Sequence, residues 1–289
     1  MIMETKEKKK KSKENKKAKA KELYAKGQEM QKEGKLEEAI ASYEQAARLA
    51  PKYSSPYLKL GQIYRSQKNW EKAAQSYQTA IAIKDNNPIA YAGLGKVQKQ
   101  LKQMPGAIAA YQKALTLKDN WSAKTYKEIA DTLSINESTL DEALMAYKKA
   151  AELKSDWTDK FYYKYGRSLQ KKEHWNEAVA CYQKAIETNP NLKDIYRFLG
   201  DAQIKQGDTG GAISSYQKAI EMNPQEFRTY KSLGEAFHKN GQLDVAMNCY
   251  QKVLELKPDA NNIYRSIGDI LLEQGRNEDA LKCYKRANA

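Results

Sequence analysis

The chain has 289 residues, a formal charge of +14, 41% hydrophobic and 30% charged residues, and a mean hydropathy of −0.85. No apolar run approaches the roughly 20 residues a membrane-spanning helix needs, so a soluble chain with no membrane span is expected. Three cysteines are too few and too odd for a secreted disulfide framework, and the expected setting is the reducing cytoplasm.

In chain order, residues 1–19 come first, with nine lysines against three glutamates and no apolar residue between Met3 and Ala18. Such a segment cannot bury a face and reads as a disordered or frayed-helical tail. Its start, Met1-Ile2-Met3-Glu4, lacks the apolar core of a signal peptide, and Ile2 stands where myristoylation needs glycine. A solubilising role is the simplest reading. Anionic lipid, nucleic acid or an import receptor are the alternatives for a lysine run.

From Ala20 onward the pattern Ala-x-x-x-Tyr-x-x-Ala returns with tyrosines at 43, 77, 111, 147, 182, 216, 250 and 284 (Val253 replacing the last alanine after Tyr250), in steps of 34, 34, 36, 35, 34, 34 and 34. A fixed period in this range marks a solenoid, whose units bury their apolar faces only against their neighbours. The units run over about 20–53, 54–87, 88–121, 123–157, 159–192, 193–226, 227–260 and 261–289. Each reads as two amphipathic helices. The first carries Tyr-x-x-Leu-Gly, as in Tyr57/Leu60/Gly61, Tyr91/Leu94/Gly95, Tyr196/Leu199/Gly200 and Tyr230/Leu233/Gly234, which lie on one helical stripe. A helix-interior glycine costs about 1 kcal/mol against alanine. Its recurrence predicts a close approach by a small alanine of the second helix, such as Ala73 or Ala212. The second helix ends at Pro51, Pro190, Pro224 or Pro258, or at the pairs Asp85-Asn86 and Asp119-Asn120.

These residues resemble the tetratricopeptide-repeat (TPR) family, whose unit reads aromatic, Leu-Gly, Tyr, Ala, aromatic, Ala, Pro. The likeness covers about residues 20 to 289. It implies an all-α, right-handed superhelical solenoid of antiparallel helix pairs. First helices would line a concave groove that takes an extended peptide or a helix from a partner. Periodicity alone gives only stacked helical hairpins.

The departures are local. Repeat one has Leu23 for the tyrosine and Lys26 before Gly27, as suits a solvent-facing end. Repeat four has Ala130 in place of glycine and a longer turn, residues 134–142, so an irregularity is expected mid-array. The eighth repeat stops at Ala289 with no following helix, whereas arrays of this kind end in a polar capping helix. The expectation is a longer protein, or self-association through this uncapped C-terminal repeat.

No enzyme site, metal site or cofactor motif is legible. His174 and His238 lie about two repeats apart without ligand spacing, and there is neither GxGxxG nor a Walker loop. Cys181, Cys249 and Cys283 each precede a repeat tyrosine, at a slot held elsewhere by Ser42, Ser76, Ala110, Ala146 and Ser215. That makes it a small packing position. No small-molecule substrate is expected.

By analogy with the family, two first-helix slots face the groove. They hold Lys127/Asp131, Arg197/Asp201, Lys231/Glu235 and Arg265/Asp269, which can self-neutralise. They also hold Leu58/Gln62, Ala92/Lys96 and Tyr163/Arg167, which cannot. With nearby inward positions, repeats two, three and five offer Lys59, Arg65, Lys96, Lys99, Lys160, Lys164, Arg167 and Lys171 without acids opposite on their own helices. Around them lie Trp121, Trp157, Phe161 and Tyr163. The predicted partner-binding set is therefore Lys59, Arg65, Lys96, Lys99, Lys127, Lys160, Tyr163, Lys164, Arg167, Lys171 and Arg197, reading an acidic peptide with Arg167 and Lys96 as carboxylate partners and Tyr163 as an apolar platform. The Lys/Asn clamp by which some TPR domains hold chaperone tails is absent: the slots carry Tyr24, Gln28, Leu58, Lys59 and Gln62.

The functional expectation is a non-catalytic protein-interaction scaffold. The alternatives are nucleic-acid binding by tail and groove, and a targeting arm of a larger enzyme. Against nucleic acid, the aromatics recur at fixed repeat slots and so belong to the core rather than to base-stacking platforms.

Overall fold

The computed structural model describes residues 2–192 and 194–288, with side chains from Ser12 onward. Among the described residues it is all-α, with sixteen α-helices and no strand. The chain divides into two compact units, residues 1–146 and 147–289.

In the first unit lie α1 (Ile2–Lys32), α2 (Leu36–Leu49), α3 (Ser54–Ser66), α4 (Trp70–Ile83), α5 (Pro88–Gln100), α6 (Met104–Leu117) and α7 (Ala123–Leu133), and α8 (Leu140–Leu153) begins there. The second holds α9 (Asp159–Lys171), α10 (Trp175–Thr188), α11 (Ile195–Gln206), α12 (Thr209–Met222), α13 (Phe227–Lys239), α14 (Leu243–Leu256), α15 (Asn262–Glu273) and α16 (Asn277–Ala287). Within each unit an odd-numbered helix packs on the even one that follows, and that one packs on the next odd helix. Odd helices of successive repeats also touch directly, α3 with α5, α9 with α11 and α11 with α13.

The repeat tyrosine is the reason the hairpins close. Tyr43, Tyr77, Tyr111, Tyr182, Tyr216 and Tyr250 are no more than 2% exposed, each with its ring laid over the glycine of the preceding helix. A Cβ at Gly61 would stand 2.9 Å from the Tyr77 ring, and one at Gly200 would stand 2.6 Å from that of Tyr216. The expected contact with Ala73 or Ala212 is corrected here. Those alanines are buried, but the space above the glycine is filled by an aromatic ring. Ring burial, worth a few kcal/mol, outweighs the glycine's helix penalty of about 1 kcal/mol.

A buried phenol needs a partner for its hydroxyl. Tyr43 donates to Gln31 Oε1 at 3.0 Å, Tyr182 to Gln170 Oε1 at 2.6 Å, and Tyr216 to Asp201 Oδ1 at 2.9 Å. These three hairpins are therefore closed twice, by ring packing and by a polar tip.

The turn between paired helices needs one left-handed residue. Gly34, Gly207, Gly241 and Gly275 supply it without cost, whereas Lys68, Lys102 and Glu173 hold φ near +60° against their Cβ. In repeat four the longer turn becomes a 3-10 segment, Glu137–Thr139, closed by Thr139 Oγ1 donating to the Leu133 carbonyl at 2.6 Å.

The lysine-rich segment lies on α1, where residues 12–19 are all exposed and Ala20 is the first buried side chain among the described residues. At the other end only Ala280 is buried on α16, and Tyr284 is half-exposed. Among the described residues no helix is long and apolar enough to cross a membrane, and no group of three or more His, Cys, Asp or Glu could hold a metal ion. Cys181 and Cys249 are buried, and burial pushes their thiols up to about 12 and about 11. They pack as small apolar side chains.

Candidate functional site

Most of the cations predicted from sequence in the first unit already have partners. Lys96 on α5 meets Glu128 Oε1 of α7 at 2.5 Å, and Lys99 donates to Thr132 Oγ1 of the same helix at 3.2 Å. Lys127 pairs along its own helix with Asp131 at 2.7 Å. Lys59 is half-buried on α3. Arg65, in the last turn of α3, hydrogen-bonds the Tyr77 hydroxyl, and its Nε is buried without a protein partner. Burial raises the Tyr77 phenol, and Arg65 draws it part of the way back. A search for acids within each helix missed Glu128 because it comes from the following repeat.

The second unit holds a different arrangement. Lys160, Lys164 and Lys171 are exposed along α9, while Tyr163 and Arg167 between them are half-buried. The Arg167 guanidinium carbon lies 3.9 Å from the centroid of the Phe198 ring. Arg197, next to Phe198 on α11, places its own guanidinium carbon 4.2 Å from the same centroid. Two cations therefore share one aromatic ring, an arrangement worth about 0.5–2 kcal/mol per pair. Tyr163 packs on Phe198 at 5.7 Å and Tyr182 at 6.3 Å, so the ring is held from several sides.

The two guanidiniums differ in what they hold. Arg197 donates to Asp201 Oδ2 at 3.1 Å, one turn along α11. Asp201 also accepts from the Tyr216 hydroxyl at 2.9 Å and from Ser232. Burial pushes the Asp201 carboxyl up, opposed by those hydrogen bonds and by the Arg197 and Arg167 charges. Among the described residues Arg167 makes no ion pair. Its polar contact is a 3.4 Å hydrogen bond to the Tyr163 hydroxyl.

One slot in the odd helices went unread in the sequence. The second residue after the first-helix tyrosine faces the tyrosine of the preceding repeat: Gly93 under Tyr77, Glu128 beside Tyr111, Phe198 against Tyr182, Ser232 on Tyr216 and Ser266 on Tyr250. This slot sets the chemistry at each junction, and only α11 fills it with an aromatic. The signal was present, since YRFLG (196–200) differs there from YKSLG (230–234).

Three of the aromatics expected around the site serve the packing of the helices instead. Phe161 is fully buried, and Trp157 stacks on it at 4.6 Å while donating its indole N–H to the Ala150 carbonyl. Trp121 similarly donates to the Lys118 carbonyl at 3.0 Å. Indoles that seal helix ends in this way are spoken for. Both histidines face a glutamate at the surface: His174 with Glu177 at 4.0 Å and His238 with Glu273 at 2.9 Å.

Comparison with known proteins places these features. The family profile described as TPR repeat matches residues 27–64, 61–102, 166–207, 200–241 and 236–275, and one described as Tetratricopeptide repeat matches residues 89–120. No curated protein matches the sequence. Among solved structures, YrrB, described as a TPR protein with an unusual peptide-binding site, is 22% identical, with a TM-score of 0.55 over 67% of this chain and 98% of its own. MamA is 27% identical, with a TM-score of 0.50 over 57% of this chain and 95% of its own. The C-terminal part of a TPR repeat-containing protein from Cytophaga hutchinsonii is 16% identical, with a TM-score of 0.56 over 80% of this chain and 93% of its own.

Proposed function

Because the chain belongs to the tetratricopeptide-repeat family, we propose that it is a non-catalytic scaffold whose odd-numbered helices bind a segment of a partner protein, and that the segment is acidic. The observation that carries this reading is the charge asymmetry of the inner face in the second unit. On α11 and α13 the groove cations are matched by their own carboxylates, Arg197 by Asp201 and Lys231 by Glu235. On α9 the corresponding slots hold Tyr163 and Arg167, with exposed Lys160 on the same helix. A ligand carboxylate would complete there what the neighbouring repeats complete internally. A peptide-binding site described for YrrB, which shares the fold, fits the same kind of role. The three free cysteines, two of them buried, suit a reducing cytoplasmic setting.

The test is a titration of the full chain with short fluorescein-labelled peptides, one rich in Glu and Asp, one rich in Lys and one neutral, beside a single-stranded oligonucleotide. Binding of the acidic peptide in the micromolar range, about −8 kcal/mol, is expected, with the other two peptides silent. An oligonucleotide that binds tightly at about 50 mM salt and loses orders of magnitude by about 200 mM, with no peptide binding, would transfer the face to nucleic acid.

A further inference from the structure

We infer that Arg167, Phe198 and Arg197 form a preorganised subsite for a single carboxylate of the bound segment, read by the Arg167 guanidinium. The inference deepens the acidic-segment reading above and rests on it.

The first observation is electrostatic. Both guanidinium carbons lie about 4 Å from one ring centroid, so they are no more than about 8 Å apart, within the screening length of about 8 Å at physiological salt. Against these two like charges stands one carboxylate, Asp201, which hydrogen-bonds Arg197 and also feels the Arg167 charge. An anion entering the site would complete the neutralisation.

The second observation is the chemistry already resident there. Arg197 pairs through Nη1 with a carboxylate, that of Asp201, while held on the face of Phe198, its Nε buried without a protein partner. Arg167 is held on the same ring and has a phenol hydroxyl at 3.4 Å where Arg197 has an acid. The ligand class follows from the match between the two positions: an Asp or Glu side chain takes on Arg167 the place that Asp201 takes on Arg197. The planar guanidinium offers two parallel N–H donors to a carboxylate, a geometry a lysine cannot supply. Stacking on Phe198 fixes the fork before the ligand arrives and lowers the entropy lost on binding. Exposed Lys160 lies on the same helix and adds positive charge to it.

The experiment uses the full chain and the labelled Glu/Asp peptide, comparing wild type with Arg167→Gln, Arg167→Lys and Lys218→Gln. Lys218 is an exposed lysine of α12 that pairs with Glu221, so its replacement removes the same charge from the opposite side of the hairpin. Arg167→Gln is expected to weaken binding about ten- to a hundredfold, Arg167→Lys to recover only part of that loss, and Lys218→Gln to leave affinity within about twofold. Thermal unfolding of each variant accompanies the titration, and the readout is the affinity ratio among variants of equal helicity. If Arg167→Lys binds like wild type, or Lys218→Gln loses as much as Arg167→Gln, net charge rather than a fork is what binds, and the subsite is overturned while the acidic-segment reading stands. If wild type fails to bind the peptide, both fall.

Discussion

Raising the pH above about 10 is expected to unfold the second unit cooperatively. Burial pushes the Tyr250 phenol up to about 12, and pushes Tyr182 and Tyr216 further still, with Asp201 adding to the rise at Tyr216. A free phenol ionises near 10. Between pH 10 and 12 the unfolded chain releases these protons while the folded chain keeps them, so the folded state binds more protons and its stability falls with rising pH. The contribution is complete below 10 and is lost as the pH climbs through the folded-state values. Each such phenol removes about 1.4 kcal/mol per pH unit. Three of them consume a typical domain stability of about 5–15 kcal/mol within two to three units. Far-UV circular dichroism and tyrosinate absorbance, followed together, check this. Helix loss and the late tyrosinate signal should coincide. Tyrosines that all titrate near 10 with helicity intact would mean that their rings are not sealed.

Tyr182→Ala is expected to cost about 3–5 kcal/mol, the range for deleting a fully buried aromatic side chain. Tyr182 has no exposed surface. Its ring covers Gly166 and stacks on Phe198, and its hydroxyl donates to Gln170, so one side chain ties α9, α10 and α11 together. Tyr182→Phe keeps the ring and leaves the Gln170 acceptor unpaired, at a cost of about 1–2 kcal/mol. Since solenoid stability is a sum of repeat and neighbour terms, urea unfolding of the alanine variant should show repeat five melting ahead of the rest. Equal losses in the two variants would mean that the hydroxyl, and not the packing, holds the hairpins. Loosening Phe198 should also unseat Arg167, so the alanine variant links the fold to the proposed site.

The repeat architecture was legible because it rests on spacing within about ten residues: tyrosine, glycine and alanine recur at fixed offsets, and the helices follow. What fills the space over each glycine was misread, since an alanine at helical spacing looks as suitable as a tyrosine until the two helices are crossed. The site was only half legible. Arg167 and Tyr163 stood out as a pair with no acid at the second slot, where neighbouring repeats carry Asp131, Asp201, Glu235 and Asp269. The pairing of Lys96 with Glu128 joins residues from different repeats, and no offset within one helix reports it. Phe198 escaped for the same reason: its neighbours Arg167 and Tyr182 come from the preceding hairpin. Junctions between units of a solenoid are written in two repeats at once, and a reading that aligns repeats one above another sees each half separately.

The most direct measurement is photo-crosslinking of the full chain with a Glu/Asp peptide carrying a benzophenone, followed by mapping of the attached residues. The account predicts attachment on α9 and α11, around Arg167 and Phe198, lost in Arg167→Gln. Attachment on the even-numbered helices or on the lysines of residues 1–19, unchanged by that substitution, would contradict it.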